Sequence, residues 1–210
     1  MGQALNIKSQ VAVGFLAGGL ARRMGGGDKG LLQIAGKSIL QRQIEACSGH
    51  QICIINANGD KARFAPFDLP VISDNLKGNL GPLAGILACL DYMAEHHLHI
   101  EAVLSCATDA PFIPVDLAEQ LERVRAEKQA IIATAESFGR RHPVFGLWPV
   151  WLRQELRSAL TDKGIRKIDD FTSRYDVAVA EFSGDPDPFL NVNRPEDMEQ
   201  ACLTVLEKQN

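Results

Sequence analysis

The stretch Val11-Ala12-Val13-Gly14-Phe15-Leu16-Ala17-Gly18-Gly19-Leu20-Ala21-Arg22-Arg23-Met24-Gly25-Gly26-Gly27-Asp28-Lys29-Gly30 joins an unbroken apolar run to a basic, glycine-rich loop. The first six residues are too continuously apolar for a strand with one wet face. They predict a parallel strand buried on both sides. The glycines that follow let backbone N–H groups approach phosphate oxygens closely. Arg23 and Lys29 supply charge to neutralise such an anion. From Ala17 to Lys37 four bases (Arg22, Arg23, Lys29, Lys37) stand against the single acid Asp28, a local net charge of +3 in a chain of formal net charge −4.

Two regular patterns in this region fail on their own mechanics. Gly25-x-Gly27-x-x-Gly30 has the spacing of a dinucleotide fingerprint, but that fingerprint must follow its strand directly and open a helix. Here the rest of the loop intervenes. Gly36-Lys37-Ser38 ends like a phosphate-binding P-loop, yet the leading glycine that pattern needs falls on Leu31. Neither a dehydrogenase nor a P-loop NTPase is supported.

Outward from this loop, apolar runs recur at Ile52–Ile55, Pro70–Ile72, Ala102–Cys106, Ala130–Ala133 and Val177–Val179. Helical spacing fills the gaps, over Ser38–Cys47, Pro82–Glu95 and Val115–Lys128, and Arg194-Pro195-Glu196-Asp197 opens a last helix. Alternation of this kind predicts an α/β fold: three layers, α/β/α, around a Rossmann-like, mostly parallel sheet. Ligands in such sheets bind beyond the carboxyl ends of the strands. The length of 210 residues, without repeat or linker, predicts one domain spanning 1–210.

The hydrophobic share of 46% and charged share of 23% are those of an ordinary globular chain. The acidic balance argues against nucleic acid as a partner. The five cysteines have no CxxC pair, and four of them sit in apolar or helical surroundings, which predicts a reducing compartment. Met1–Gln10 has no long apolar run, and no stretch has the length of a membrane helix, so a cytoplasmic location without membrane attachment is expected.

Leu16-Ala17-Gly18-Gly19, Arg23-Met24-Gly25 and Asp28-Lys29-Gly30 together resemble the signature of the GT-A-like nucleotidyltransferases, and most closely that of the molybdenum cofactor guanylyltransferases. The resemblance continues through Asn56-Ala57-Asn58, Ile72-Ser73-Asp74, Gly81-Pro82-Leu83-Ala84-Gly85, Thr108-Asp109-Ala110-Pro111-Phe112, Arg141-His142-Pro143 and Asn191-Val192-Asn193-Arg194-Pro195-Glu196. It departs at Ser38, where family members often carry proline; serine still caps a helix. The resemblance implies transfer of GMP from GTP to the terminal phosphate of Mo-molybdopterin, with release of pyrophosphate, in the presence of Mg²⁺.

Residue by residue, the resemblance implies that Lys29 and Asp109 bind GTP, that Asp109 ligates the metal, and that Leu16, Ala17 and Gly18 offer backbone groups to the nucleotide. Asn56 and Asp74 contact the nucleoside. Arg23, Lys29 and Asp109 form the candidate catalytic set. The residue types suit this chemistry, because nucleotidyl transfer needs positioning and charge stabilisation rather than a side-chain nucleophile. Asp109 would equally serve as a helix cap, and Asn56 and Asp74 as turn formers. Asn191 and Asn193, alternating about Val192, are candidates for the acceptor phosphate or the metal shell. Arg141 and His142 are candidates for the pterin side. His96, His97 and His99 close a helix without partners at ligand spacing, so no zinc site is expected.

Two alternatives stand beside this reading. One is a sister nucleotidyltransferase using CTP on molybdopterin or on a sugar or isoprenoid phosphate. The other is a carrier that binds the cofactor and turns over poorly. An oxygen-sensitive product also suggests transient contact with molybdopterin-inserting or acceptor molybdoenzymes.

Overall fold

A computed structural model describes residues 7–18, 27–78 and 80–207. Its centre is a seven-stranded sheet. In chain order the strands are β1 (Val11–Leu16), β4 (Cys53–Asn56), β5 (Val71–Ile72), β6 (Ala102–Ala107), β7 (Ile132–Ser137), β8 (Arg140–Pro149) and β9 (Val177–Phe182). A small hairpin of β2 (Gln33–Ile34) and β3 (Lys37–Ser38) lies apart from it. The spatial order is β5-β4-β1-β6-β8-β7-β9. Every neighbouring pair is parallel except those of β8, which runs antiparallel between β6 and β7.

The helices are α1 (Ile7–Gln10), α2 (Ile39–Ala46), α3 (Pro82–His96), α4 (Leu117–Glu127), α5 (Arg153–Thr161), α6 (Ile168–Thr172) and α7 (Pro195–Glu207). The period-two geometry of β1 divides them between the two sheet faces. Val11, Val13 and Phe15 point to one side and pack with Leu40 of α2 and Leu117 and Leu121 of α4. Ala12 and Leu16 point to the other and pack with Leu83, Ile86 and Leu90 of α3, Leu156 of α5 and Phe171 of α6. A third cluster seats Ala201 and Val205 of α7 against Ile34, Ile39 and Val192. The three-layer α/β/α expectation holds, as does the mostly parallel sheet.

Local chemistry sets the helix ends. The Ser38 hydroxyl accepts from the Gln41 N–H at 3.1 Å and caps α2. Pro82 occupies the first turn of α3, behind Gly81 at φ +74°, a backbone conformation that favours glycine. The Asp197 carboxylate reaches back to the N–H groups of Asn193 (2.8 Å) and Arg194 (2.9 Å) and closes the amino end of α7.

β8, α5 and α6 go beyond the expected elements. Pro143 argues against a central strand, because proline cannot donate to the ladder. The sheet absorbs it in an irregularity: pairing jumps from Thr134↔Gly146 to Ala135↔His142, which leaves Pro143 out of register. All five cysteines are free thiols. Burial pushes the Cys53 thiol up to about 12 and raises Cys89 as well, so both behave as small apolar groups. No helix among the described residues is long and apolar enough to cross a membrane.

Candidate functional site

Beyond the carboxyl ends of β1, β4, β5 and β6 lies a cavity of about 600 Å³. Each strand delivers its residues by simply ending there. β1 runs out into Leu16, Ala17 and Gly18; β4 ends on Asn56; the chain after β5 presents Asp74; and β6 leads into Thr108 and Asp109. Lys29 comes from the 3-10 turn Lys29–Leu31. All seven expected nucleotide contacts therefore line one cavity. Gly81, Pro82 and Gly85 bring the amino end of α3 to its wall, with its partial positive charge.

At one end, Lys29 Nζ lies 3.3 Å from Asp109 Oδ2, with each side chain only about one-fifth exposed. The ammonium also donates to the Asn193 side-chain oxygen. Asn191, with its amide turned to satisfy its neighbours, donates to Asp109 Oδ1 at 3.3 Å. The 191–193 segment is irregular coil rather than a strand, yet the alternation survives. Both asparagines face Lys29 and Asp109, while Val192 is fully buried on the other side and donates its N–H to the Asp109 carbonyl at 2.8 Å. Asp109 caps no helix; that position before α4 belongs to Asp116.

At the other end, Asp74 is held by two amides. Asn56 Nδ2 donates to Oδ1 at 3.0 Å and Asn58 Nδ2 to Oδ2 at 2.8 Å. Asn56 is buried, and its orientation depends on Gly85. A Cβ there would overlap the Asn56 side-chain oxygen and come within 3.1 Å of Leu16 Cδ2. Gly85→Ala should therefore displace Asn56. Overpacking of this kind costs about 1–3 kcal/mol, so we expect GTP binding to weaken by about tenfold or more in a protein that still folds. An unchanged dissociation constant for GTP would show that Asn56 does not need this close approach.

Several residues that hold the site rigid carried no sequence signal. Gln43 of α2 is fully buried and donates to the carbonyls of Ala107 and Ala110, both at 2.8 Å, one on each side of Asp109. Ser137 Oγ donates to Asp187 Oδ1 at 2.7 Å and lies 2.9 Å from His142 Nε2. Since the one hydroxyl hydrogen goes to Asp187, the imidazole N–H is the donor in the second bond. Burial holds the His142 pKa below the ordinary imidazole value, against an upward pull from Asp187. His142 thus lies inside the structure, where it helps to anchor the segment leading to Asn191, rather than at a surface open to a pterin. Its neighbour Arg141 is exposed on β8, 3.8 Å from Glu136 across the strand pair, and does not line the cavity. Arg23 falls outside the described residues.

Among the described residues no group of three His, Cys, Asp or Glu side chains is placed to hold a metal ion. The oxygen ligands near Lys29 are the Asp109 carboxylate and the Asn193 amide oxygen, both hard donors. Such a set fits an ion like Mg²⁺, which binds through one or two carboxylates and takes the rest of its shell from water and substrate phosphates.

The sequence matches the MobA-like NTP transferase domain over residues 13–194. It is 51% identical over 189 residues to a molybdenum cofactor guanylyltransferase of Rhodopseudomonas palustris, covering 89% of this chain and 88% of that one. A homologue of the same name from Mesorhizobium japonicum is 44% identical over 202 residues, covering 93% and 96%. Among solved structures, the molybdopterin-guanine dinucleotide biosynthesis protein A of Archaeoglobus fulgidus superposes with a TM-score of 0.76 at 24% identity, covering 93% of this chain and 99% of that one. A Mycobacterium tuberculosis protein solved in complex with manganese has a TM-score of 0.67 at 16% identity, covering 93% and 99%.

Proposed function

The chain belongs to the MobA-like NTP transferase family, and from that premise we propose that it is a guanylyltransferase. It moves GMP from GTP to the terminal phosphate of Mo-molybdopterin and releases pyrophosphate. The observation that carries this reading is the polarity of the cavity. An ammonium and a carboxylate lie 3.3 Å apart at one end, and a doubly held carboxylate, Asp74, stands at the other. A nucleoside triphosphate has the matching asymmetry, with hydrogen-bond donors on guanine and ribose and anionic oxygens on the phosphates. The cavity volume lies within the range usual for small-molecule sites.

In this reading an ionised oxygen of the acceptor phosphate attacks the α-phosphorus of GTP in line with the bridging oxygen to the β-phosphorus. That bond breaks, and its electron pair leaves with pyrophosphate. The attacking oxygen is already anionic near neutral pH, so no general base is required. Lys29 neutralises charge that builds on the departing phosphates. The backbone of Leu16, Ala17 and Gly18 cradles the nucleotide, and Asn56 and Asp74 orient the nucleoside. Asn191 and Asn193, with Arg141 further out, receive the acceptor. Asp109 would hold Mg²⁺, which when bound would supply Lewis-acid stabilisation of charge on the phosphates. We further propose that the whole chain acts as one catalytic domain in the cytoplasm, and that the product passes to molybdoenzymes or their insertion partners by transient contact.

The test is to incubate purified protein with α-labelled GTP, Mg²⁺ and Mo-molybdopterin under anaerobic conditions. Label should appear in a molybdopterin dinucleotide, with one pyrophosphate released for each. Label entering only from CTP would move the chain to the sister cytidylyltransferases. Cofactor binding with no labelled product would leave the carrier reading.

A further inference from the structure

One charged side chain in the cavity wall has no part in the chemistry above. Arg63 lies in the 3-10 segment Lys61–Phe67, whose first turn is capped by Asp60 through a 2.9 Å bond from the Ala62 N–H. All three guanidinium nitrogens are engaged. Nε donates to Asp28 Oδ2, Nη1 to the Asp60 carbonyl, and Nη2 to the Asn58 carbonyl at 2.9 Å. The group also stacks 4.6 Å from the centre of the buried Phe64 ring.

The partner it reaches is informative. Asp28 stands at the head of the turn Lys29–Leu31, where an aspartate would ordinarily cap the backbone, yet its side chain makes no capping bond. The carboxylate is instead turned across the cavity to Arg63 and is only 9% exposed. Asp28 immediately precedes Lys29. On the far side, Asn58 exchanges two bonds with Asp74: its Nδ2 donates to Oδ2 at 2.8 Å and its Oδ1 accepts from the Asp74 N–H at 3.0 Å. A continuous polar chain thus runs Asp74–Asn58–Arg63–Asp28 and ends beside Lys29. Asp28, Asn58 and Arg63 all line the cavity.

We infer that Arg63 is a positioning residue for nucleotidyl transfer, bracing Asp28 so that Lys29 stays in register with the nucleoside end of the site. The inference rests on the nucleotide-binding reading of this cavity. Its rationale is geometric. The Lys29 ammonium must meet a developing charge in a well-defined place, and Arg63 holds the residue immediately before it. The guanidinium suits the task because its rigid planar fork fixes the relative positions of its three acceptors, whereas an ammonium is a compact point charge on a flexible stem.

The test compares wild type with Arg63→Met, Arg63→Lys, Asp28→Asn and the double variant Arg63→Met/Asp28→Asn. GTP affinity is measured by equilibrium titration, GMP transfer by steady-state kinetics, and folding by the thermal midpoint. We expect kcat to fall by about tenfold to a hundredfold in Arg63→Met, the scale on which small misplacements are felt. The dissociation constant for GTP should change by no more than about threefold, because Asn56 and Asp74 keep their contacts. Asp28→Asn should match this loss, and the double variant should be no worse than either single, since all three break one link. Arg63→Lys should recover part of the rate, and it carries the test should Arg63→Met fail to fold.

Unchanged kcat, additive losses, or a loss explained wholly by a smaller folded fraction would overturn the inference. Were wild type to transfer CMP instead, the guanylyl reading would fall. The same variants would then be read with CTP, and the brace would stand or fall on the Arg63–Asp28 coupling alone.

Discussion

Replacing Asp109 by alanine should lower GMP transfer by about a thousandfold or more. Two roles are lost together. The carboxylate lies 3.3 Å from Lys29 in the cavity, and in the proposed mechanism it is the side chain that holds the divalent ion. Metal stabilisation of a phosphoryl transition state amounts to several kcal/mol, and each 1.36 kcal/mol is about tenfold in rate. The fold should survive. Lys29 keeps its bond to Asn193, and the backbone bond from Val192 to the Asp109 carbonyl does not depend on the side chain. Asp109→Asn separates the roles further, because it keeps the side-chain volume while removing the charge. Activity loss in both variants, with thermal midpoints within a few degrees of wild type, is the expected result. A variant that transfers GMP at more than about a tenth of the normal rate would remove Asp109 from the metal position.

Lys29→Ala should cost about a hundredfold to a thousandfold in kcat/KM, the range seen when one preorganised group facing developing charge is removed. The expected pattern differs from that of Asp109. In the proposed mechanism Lys29 meets anionic oxygens in the ground state as well as in the transition state, so GTP affinity should also fall by about tenfold. Lys29→Arg should not restore the rate, because a broad planar group does not sit where a compact ammonium fits between Asp109 and Asn193. Kinetics of the alanine variant within about threefold of wild type would sink the phosphate-contact assignment.

The parts of the fold that were legible in the sequence were those governed by one strong local rule. A strand buried on both faces carries few polar residues, so Val11–Leu16 and Ala102–Cys106 announced themselves; the one polar residue between them, Ser105, is buried and donates to the Val144 carbonyl of β8. Ser38 marked the start of α2 because a hydroxyl at that position satisfies an orphaned backbone donor. β8 was not legible because Arg140, Arg141 and Pro143 contradict a central strand, and only the irregular pairing with β7 admits them. α6, at five residues, is below what periodicity resolves, and α5, though no shorter than α2, lacks the capping serine that marks the start of α2.

At the site, sequence reading reached the residues that end strands. Leu16, Asn56, Asp74 and Asp109 lie at predictable places because a parallel sheet gathers its carboxyl ends. It also paired Asn191 with Asn193 through alternation about Val192, although the segment is coil and not a strand. The supporting residues were not legible. Gln43 lies 66 positions before Asp109, and Arg63 is joined to Asp28 across 35 residues, so nothing local signals either contact. His142 is the instructive case. Its motif was visible, but its direction was not, and only the packing of Ser137 and Asp187 around the ring shows that it faces inward. Arg141, adjacent in sequence, faces out for the same reason of strand alternation.

The central claim is that this cavity selects a guanine nucleotide and holds its phosphates through Lys29 and a metal at Asp109. The most direct measurement is calorimetric titration of GTP, CTP and ATP, each with Mg²⁺, into wild type and Asp109→Ala. GTP should bind at least about tenfold tighter than CTP or ATP, a difference of about 1.4 kcal/mol, and its binding should weaken markedly in the variant. Equal affinity for the three nucleotides, or GTP binding that ignores the loss of Asp109, would contradict that claim.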